Sequence, residues 1–334
     1  MLLNAFDWRE SDQINNAFRR YLIYFGSMKR LPKDIALVFL CLFTTVKVYP
    51  GELSEFHITS SGSDRYFYLH SPPSSTKHYP VMLAFHGGGG TALNAEKQFG
   101  FSQLADEYGF VVVYPQGMNK QWNDGRAAPS KGEAYDDVQF VKDILISLPG
   151  ICPQADTSQV FSTGMSNGGF FSFYLAYKLN GVITAIAPVC ASIPKDLESS
   201  YMLPVPVPML YIAGTADPLV KYKGGWVGFA NEDKGRGYSM PVEWTLQRWL
   251  TMTGTPDKPV VSRIPDVDKN DGCEATKYSY YRNDKPFVEF IKVENGGHGW
   301  PGGRQYLPKA LIGQLCNDFS ASEMITRFFS LYTF

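Results

Sequence analysis

Apolar and polar residues alternate with two different periods along the chain, and the change of period sets out the fold. The segment FHITSSGSDRYFYLHS (56–71) reads as two alternating strands about Gly62, the pattern of an antiparallel hairpin. Beyond it the pattern becomes short, wholly apolar runs separated by helical periodicity. VMLAF (81–85), FVVVY (110–114), QVFST (159–163), ITAIAPV (183–189) and VPMLYIA (207–213) read as buried strands. Helices are expected over 95–108, 136–148, 168–179, 241–252 and 320–331, and a second hairpin over 278–282 and 287–293. Strands alternating with helices predict an α/β fold, with a mostly parallel central sheet covered by helices on both faces. Two long loops, 116–134 and 219–239, follow strands and belong at the carboxyl edge of that sheet, where such folds bind ligands.

The first fifty residues stand apart. A basic stretch, Met28-Lys29-Arg30-Leu31-Pro32-Lys33, precedes nine unbroken apolar residues at 35–43 (IALVFLCLF). That order is the signature of a secretory signal, with a start at Met28, because Asp7, Glu10 and Asp12 suit a signal's leading region poorly. The run is short of the roughly 20 apolar residues that span a bilayer, so no stable membrane span is expected. The expected organisation is a 1–50 N-terminal extension with signal peptide and a 51–334 catalytic domain, secreted or periplasmic. With a net charge of −1 over 334 residues and no charged block, nothing points to nucleic acid. Of five cysteines, Cys41 lies in the signal; Cys152, Cys190, Cys273 and Cys316 remain and match no zinc spacing, so no metal is expected. Strand order puts Cys190, Cys273 and Cys316 at one edge and Cys152 at the other. A disulfide is therefore expected within the first three rather than between Cys152 and Cys190.

The chemistry centres on Gly164-Met165-Ser166-Asn167-Gly168, a G-x-S-x-G motif between a strand and a helix, where a serine hydroxyl stands on a sharp turn. A serine needs a base. Of the five histidines (His57, His70, His78, His86 and His298), only His298 follows Ser166, in the order the triad of such folds requires. The acid must lie between them after a strand; Asp217 does, whereas Asp196, Asp266, Asp268 and Asp271 follow no buried strand. The oxyanion hole needs two backbone N–H groups. Asn167 supplies one and Gly88, in His86-Gly87-Gly88-Gly89-Gly90, the other. Gly87, Gly89 and Ala92 also fit G-x-G-x-x-A, but the next strand ends without the acid that a dinucleotide's ribose requires, so no nucleotide is expected. Aromatic residues make up 15% of the chain; Trp122, Trp226 and Trp300 lie in loops where they could stack on a ring, a sugar or a polymer chain.

LAFHGGGG, WNDGR, DDVQFV, TGMSNGG, GTADPLVKYKGG and GGHGWPGG occur in that order. From about Phe56 to the end the chain resembles the family that groups polyhydroxybutyrate depolymerases, feruloyl esterases and related secreted carbohydrate esterases. The resemblance implies the α/β-hydrolase fold, and its catalytic positions match Ser166, Asp217 and His298 one for one. Many polyester depolymerases of the family carry cysteine where this chain has Gly88, and this chain has no Ser/Thr-rich linker followed by a substrate-binding domain. Taken together, the chain reads as a secreted serine carboxylic ester hydrolase, polyhydroxybutyrate-depolymerase-like, acting through an acyl-enzyme without a cofactor. Its partner would be an ester substrate: a polyester, an oligoester or an acylated carbohydrate. The alternative is a feruloyl or acetyl-xylan esterase; from another class, a catalytically dead binding protein on a hydrolase scaffold.

Overall fold

Ten strands form one sheet in the computed structural model, which describes residues 51–73, 77–127, 135–229 and 236–333. The expected signal segment, its Met28 start and Cys41 lie outside the described residues. β1 (Leu53–Ser60) and β2 (Ser63–His70) make the first hairpin, turning through Ser61 and Gly62 at positive φ. β3 (Tyr79–Phe85), β4 (Val111–Pro115), β5 (Ala155–Met165), β6 (Ile183–Val189) and β7 (Met209–Gly214) then alternate with helices. The helices are α1 (Ala92–Phe99), α2 (Phe101–Tyr108), α3 (Asp137–Ile151) and α4 (Asn167–Lys178). A two-stranded ribbon, β8 (Gly225–Trp226) with β9 (Tyr238–Ser239), precedes α5 (Val242–Thr253). β10 (Val260–Arg263), β11 (Glu274–Arg282) and β12 (Lys285–Glu294) complete the sheet; α6 (Lys309–Ile312) and α7 (Ala321–Ser330) close the described chain.

The spatial order is β1-β2-β4-β3-β5-β6-β7-β12-β11-β10. The six central strands, β4 to β12 in that order, pair in parallel, while both hairpins are antiparallel. The central strands carry apolar runs where they are buried on both faces, while β5 opens on the polar residues 156–159 and β12 interleaves Glu289 and Lys292 with its apolar positions. Val81, Leu83 and Phe85 pack with α3, α4 and α5 on one side; Met82 and Ala84 pack with α1, α2 and α7 on the other. The fold expected from the periodicity is therefore the one observed.

Three differences have local causes. The helix expected over 95–108 is two, because Gly100 sits in the left-handed region and serves both as C-cap of α1 and as the residue before α2. β10 is exposed along its whole length, so it carries no apolar alternation to read. The β8–β9 ribbon is two residues per strand, too short to leave a periodic signal.

Candidate active site

Chain geometry alone makes Ser166 prominent. It caps α4 with φ 56° and ψ −121°, a conformation that side-chain-bearing residues rarely adopt. Its backbone N–H bonds to Val189 O at 2.9 Å, which holds the turn against the end of β6. The flanking glycines are there for close approach. A Cβ on Gly168 would lie 2.2 Å from Phe85 O, so only glycine lets α4 start against the end of β3. From the same strand end, the glycine loop 87–90 reaches the serine: a Cβ on Gly87 would lie 3.6 Å from Ser166 Cβ.

Asp217 and His298 meet across the ends of β7 and β12. A Cβ on Gly214 would lie 2.2 Å from Gly296 O, so the bare glycine lets the loop carrying His298 close over the loop carrying Asp217. Asp217 Oδ1 accepts from the backbone N–H groups of Leu219 and Val220, both at 2.8 Å. That leaves Oδ2 to accept from His298 Nδ1 at 2.7 Å, with both side chains buried. The carboxylate therefore fixes the ring with its proton on Nδ1 and its lone pair on Nε2. Among the described residues no hydrogen bond joins the Ser166 hydroxyl to that ring; such bonds are often long until substrate arrives. Cys190 lies between the two halves of the site. Its thiol contacts Gly299 O at 3.3 Å, and burial, reinforced by the Asp217 carboxylate, pushes its pKa well up, which makes it an unreactive packing group.

The glycine loop after β3 is held by a neutral histidine. His86 Nδ1–H donates to Gly87 O at 2.8 Å, while His86 Nε2 accepts from Gly117 N–H at 3.0 Å. Burial lowers the His86 pKa to about 4, consistent with a ring that must keep one acceptor nitrogen.

A cavity of about 250 Å³ opens at Ser166, lined also by Asn167, Leu219, Val227, Arg126 and Arg236. Ser166, Asn167, Asp217, His298 and Gly88 are thus gathered at one edge of the sheet. The tryptophans need correction. Trp122 is 0% exposed, lies parallel to Phe171 with ring centres 5.2 Å apart and donates to His86 O, so it is core. Trp300 is 1% exposed, stacks on Phe99 and donates to Ser322, so it too is core. Neither presents a face to a ligand. Trp226 is half-buried on β8, edge-on to Tyr238, next to the cavity residue Val227 but not itself a lining residue.

The cluster Cys190, Asp217 and His298 brings metal-ligand atoms within 4.8 Å of one another, as does Asp271, Cys273 and Cys316. In the first, Asp217 is already committed to two backbone donors and the imidazole; in the second, Asp271 accepts from Cys273 N and Asn317 N. Both are satisfied hydrogen-bond networks. All four described cysteines are reduced, so the disulfide expected from the sequence is not formed, although the Cys273 and Cys316 sulfurs lie within 4.8 Å of each other.

Residues 58–191 match the family model described as "Putative esterase". The chain is 25% identical over 284 residues to "Putative esterase NocK" of Nocardia uniformis subsp. tsuyamanensis, covering 81% of this chain and 80% of that protein. It is 27% identical to feruloyl esterase B of Piromyces equi, over 66% of this chain and 40% of that one. It is 26% identical to poly(3-hydroxyalkanoate) depolymerase C of Paucimonas lemoignei, over 70% and 58%. The chain thus spans well under two thirds of the latter two. An acetyl xylan esterase from Aspergillus awamori superposes with a TM-score of 0.51 at 14% identity, covering 74% of this chain and 94% of that one. The chain is an esterase relative with the α/β-hydrolase fold. The family likeness carried by the ordered motifs is borne out, and so is the fold it implied.

Sequence reasoning passed over Arg126, Arg236 and His86 as site residues. Arg126 stands in the WNDGR motif, which was the one available signal. Arg236 lies in a loop whose approach to Gly88 depends on the folded path of the chain.

Proposed function

We propose that this esterase is a serine carboxylic ester hydrolase acting through an acyl-enzyme. Ser166 is the nucleophile, His298 the base and Asp217 the group that orients it. The observation that carries the reading is the 2.7 Å Asp217–His298 bond at the sheet edge where Ser166 stands on its strained turn. In this mechanism His298 Nε2 takes the Ser166 proton as Oγ attacks the ester carbonyl. The oxyanion receives the backbone N–H groups of Gly88 and Asn167. Collapse expels the alcohol, protonated by His298, and leaves Ser166 acylated. Water, deprotonated by His298, then attacks the acyl-enzyme, releasing the acid and restoring the serine. No cofactor enters the scheme.

Within the class, short hydroxyalkanoate polyesters or oligoesters are the first reading, and feruloyl or acetyl groups on plant polysaccharide the second. The relatives support both. Export is part of the proposal and rests on the basic and apolar run at 28–43. Among the described residues no helix is long and apolar enough to cross a membrane. The test is Ser166→Ala assayed with p-nitrophenyl butyrate and labelled in parallel with a fluorophosphonate. The expected loss is on the order of 10⁴-fold or more, together with loss of labelling. A folded variant that keeps its turnover would refute the mechanism, and a wild-type protein that neither turns over nor labels would mark a binding protein on a hydrolase scaffold.

A further inference from the structure

The cavity at Ser166 is lined by two arginines and by no acidic side chain among its described lining residues. Arg126 is 5% exposed. Its Nε and Nη2 donate to Asp124 Oδ2, and its guanidinium lies over the Phe170 ring, 3.9 Å from the centroid. Its third nitrogen, Nη1, is buried and has no hydrogen-bond partner among the described residues. A buried cationic N–H without an acceptor is costly, and natural structures rarely leave one without a purpose. Asp124 neutralises the charge of Arg126 but does not use its last donors.

Arg236 supplies a second cation. It makes no ion pair among the described residues. Its position is set by Gly88: a Cβ there would lie 3.1 Å from Arg236 Nη1 and 3.1 Å from Gln121 Oε1. The guanidinium therefore stands over the glycine proposed to bind the oxyanion. Apolar Leu219 and Val227 line the same cavity, so the cation faces a partly desolvated space, where charge-assisted bonds are strongest.

We infer that Arg236, with the free Nη1 of Arg126, forms a carboxylate-binding subsite beside Ser166, so that the preferred substrates are esters carrying a free carboxylate a few bonds from the scissile carbonyl. The inference rests on Ser166 being the nucleophile and adds the substrate class. Two substrate geometries meet it. The carboxylate can belong to the leaving alcohol, as in a linear hydroxyacid dimer with a free acid end, or to the acyl half, as in a dicarboxylic monoester. A guanidinium recognises the planar anion in either case by paired N–H donors.

The experiment compares matched anionic and neutral esters on the full-length protein. One pair is the linear dimer of 3-hydroxybutyrate and its methyl ester; the other is methyl hydrogen succinate and dimethyl succinate. Succinate is titrated as an inhibitor of p-nitrophenyl butyrate hydrolysis. Arg236→Gln is the informative variant, because Arg236 is exposed and makes no ion pair among the described residues, whereas Arg126→Gln would take the cation from the buried Arg126–Asp124 pair and could fail to fold. The wild type should favour the acid over the neutral ester in at least one pair, and which pair does so identifies the half that carries the anion. Arg236→Gln should lower that acid-to-neutral ratio of kcat/KM by about ten-fold or more, and weaken succinate inhibition similarly. An equal loss on both members of a pair would assign Arg236 to the oxyanion and overturn the subsite. So would a wild type that hydrolyses p-nitrophenyl butyrate yet prefers the neutral ester in both pairs. A wild type inactive on p-nitrophenyl butyrate would instead strike the serine-esterase reading itself, leaving succinate binding, followed by calorimetry, to decide the subsite.

Discussion

Replacing Ser166 by glycine should make the protein more stable than replacing it by alanine, the reverse of the order at an ordinary position. Ser166 holds φ 56° and ψ −121°. Holding a residue with a Cβ in so sparsely populated a region costs about 1–3 kcal/mol, and glycine enters it freely. Against this, glycine loses about 0.5–1 kcal/mol more than alanine in chain entropy on folding. The balance favours Ser166→Gly over Ser166→Ala by up to about 2.5 kcal/mol, and by about 1 kcal/mol at mid-range. The position reinforces the sign, since Ser166 caps α4 without a side-chain capping bond and glycine is a far better N-cap than alanine. Both variants lack the proposed nucleophile, so activity does not confuse the comparison. Urea unfolding at matched pH reads it directly, with equal m-values as the control that the unfolded state is the same. Alanine proving as stable as glycine, or more so, would mean that the strain at this turn does not exceed glycine's extra entropy cost of about 0.5–1 kcal/mol, which refutes the strain argued here.

Three further outcomes follow from the same geometry. Asp217→Asn should cost on the order of 10³–10⁴ in kcat with the fold intact: the Asn carbonyl would take over the Leu219 and Val220 donors, and its NH₂ would face Nδ1 and force the ring's proton to Nε2. A kinetic loss under ten-fold would remove Asp217 from its role. The unfolded chain protonates His86 near pH 6.5, whereas the folded chain resists until about pH 4. Stability should therefore fall as pH drops through that window, by at most about 3 kcal/mol from this residue, and urea midpoints at pH 7.5, 6, 5 and 4 in wild type and His86→Gln should show the slope flattened in the variant. Finally, the Cys273 and Cys316 thiols, within 4.8 Å of each other, should form a disulfide when incubated with glutathione disulfide, raising stability by about 2–4 kcal/mol; peptide mapping without reduction that finds a bridge to Cys152, or none, would count against the packing described.

How much the sequence discloses depends on how local the controlling physics is. Ser166 is legible because a nucleophile turn needs glycines two residues away on either side, and His298 because no other histidine follows it. The central strands are legible because burial on both faces forces apolar runs. Trp122 and Trp300 misled for a complementary reason: position in a loop says nothing of which way a large ring faces, and both face inward. Arg126 and Arg236 are 110 residues apart by number and meet only because the loops after β4 and β7 converge at one sheet edge. No periodicity encodes that convergence.

The joint occurrence of WNDGR and SN in this chain has a physical reason in Asn167. Its side chain works as a section of backbone would: Oδ1 accepts from Trp122 N–H at 2.8 Å, and Nδ2 donates to Trp122 O at 3.0 Å. Nδ2 also donates to Asp124 Oδ2 at 2.6 Å, the oxygen that Arg126 grips. The loop after β4 is therefore stitched to the first turn of α4 by polar bonds buried from water, where each is stronger than at the surface and costly to leave half made. A second buried anchor, Arg65 to Asp137 at 2.7 Å, holds the same loop from behind, with Asp137 also accepting from Asn123 N–H. Since Asn167 is the residue whose backbone N–H is proposed for the oxyanion, these bonds fix a donor as well as a loop. Arg126, in turn, is held beside Ser166 by the carboxylate that helps to hold Asn167. The proposed oxyanion donor and the Arg126 half of the proposed anion subsite thus share one buried network, and a substrate bound by its carboxylate would meet an oxyanion hole already set relative to that half.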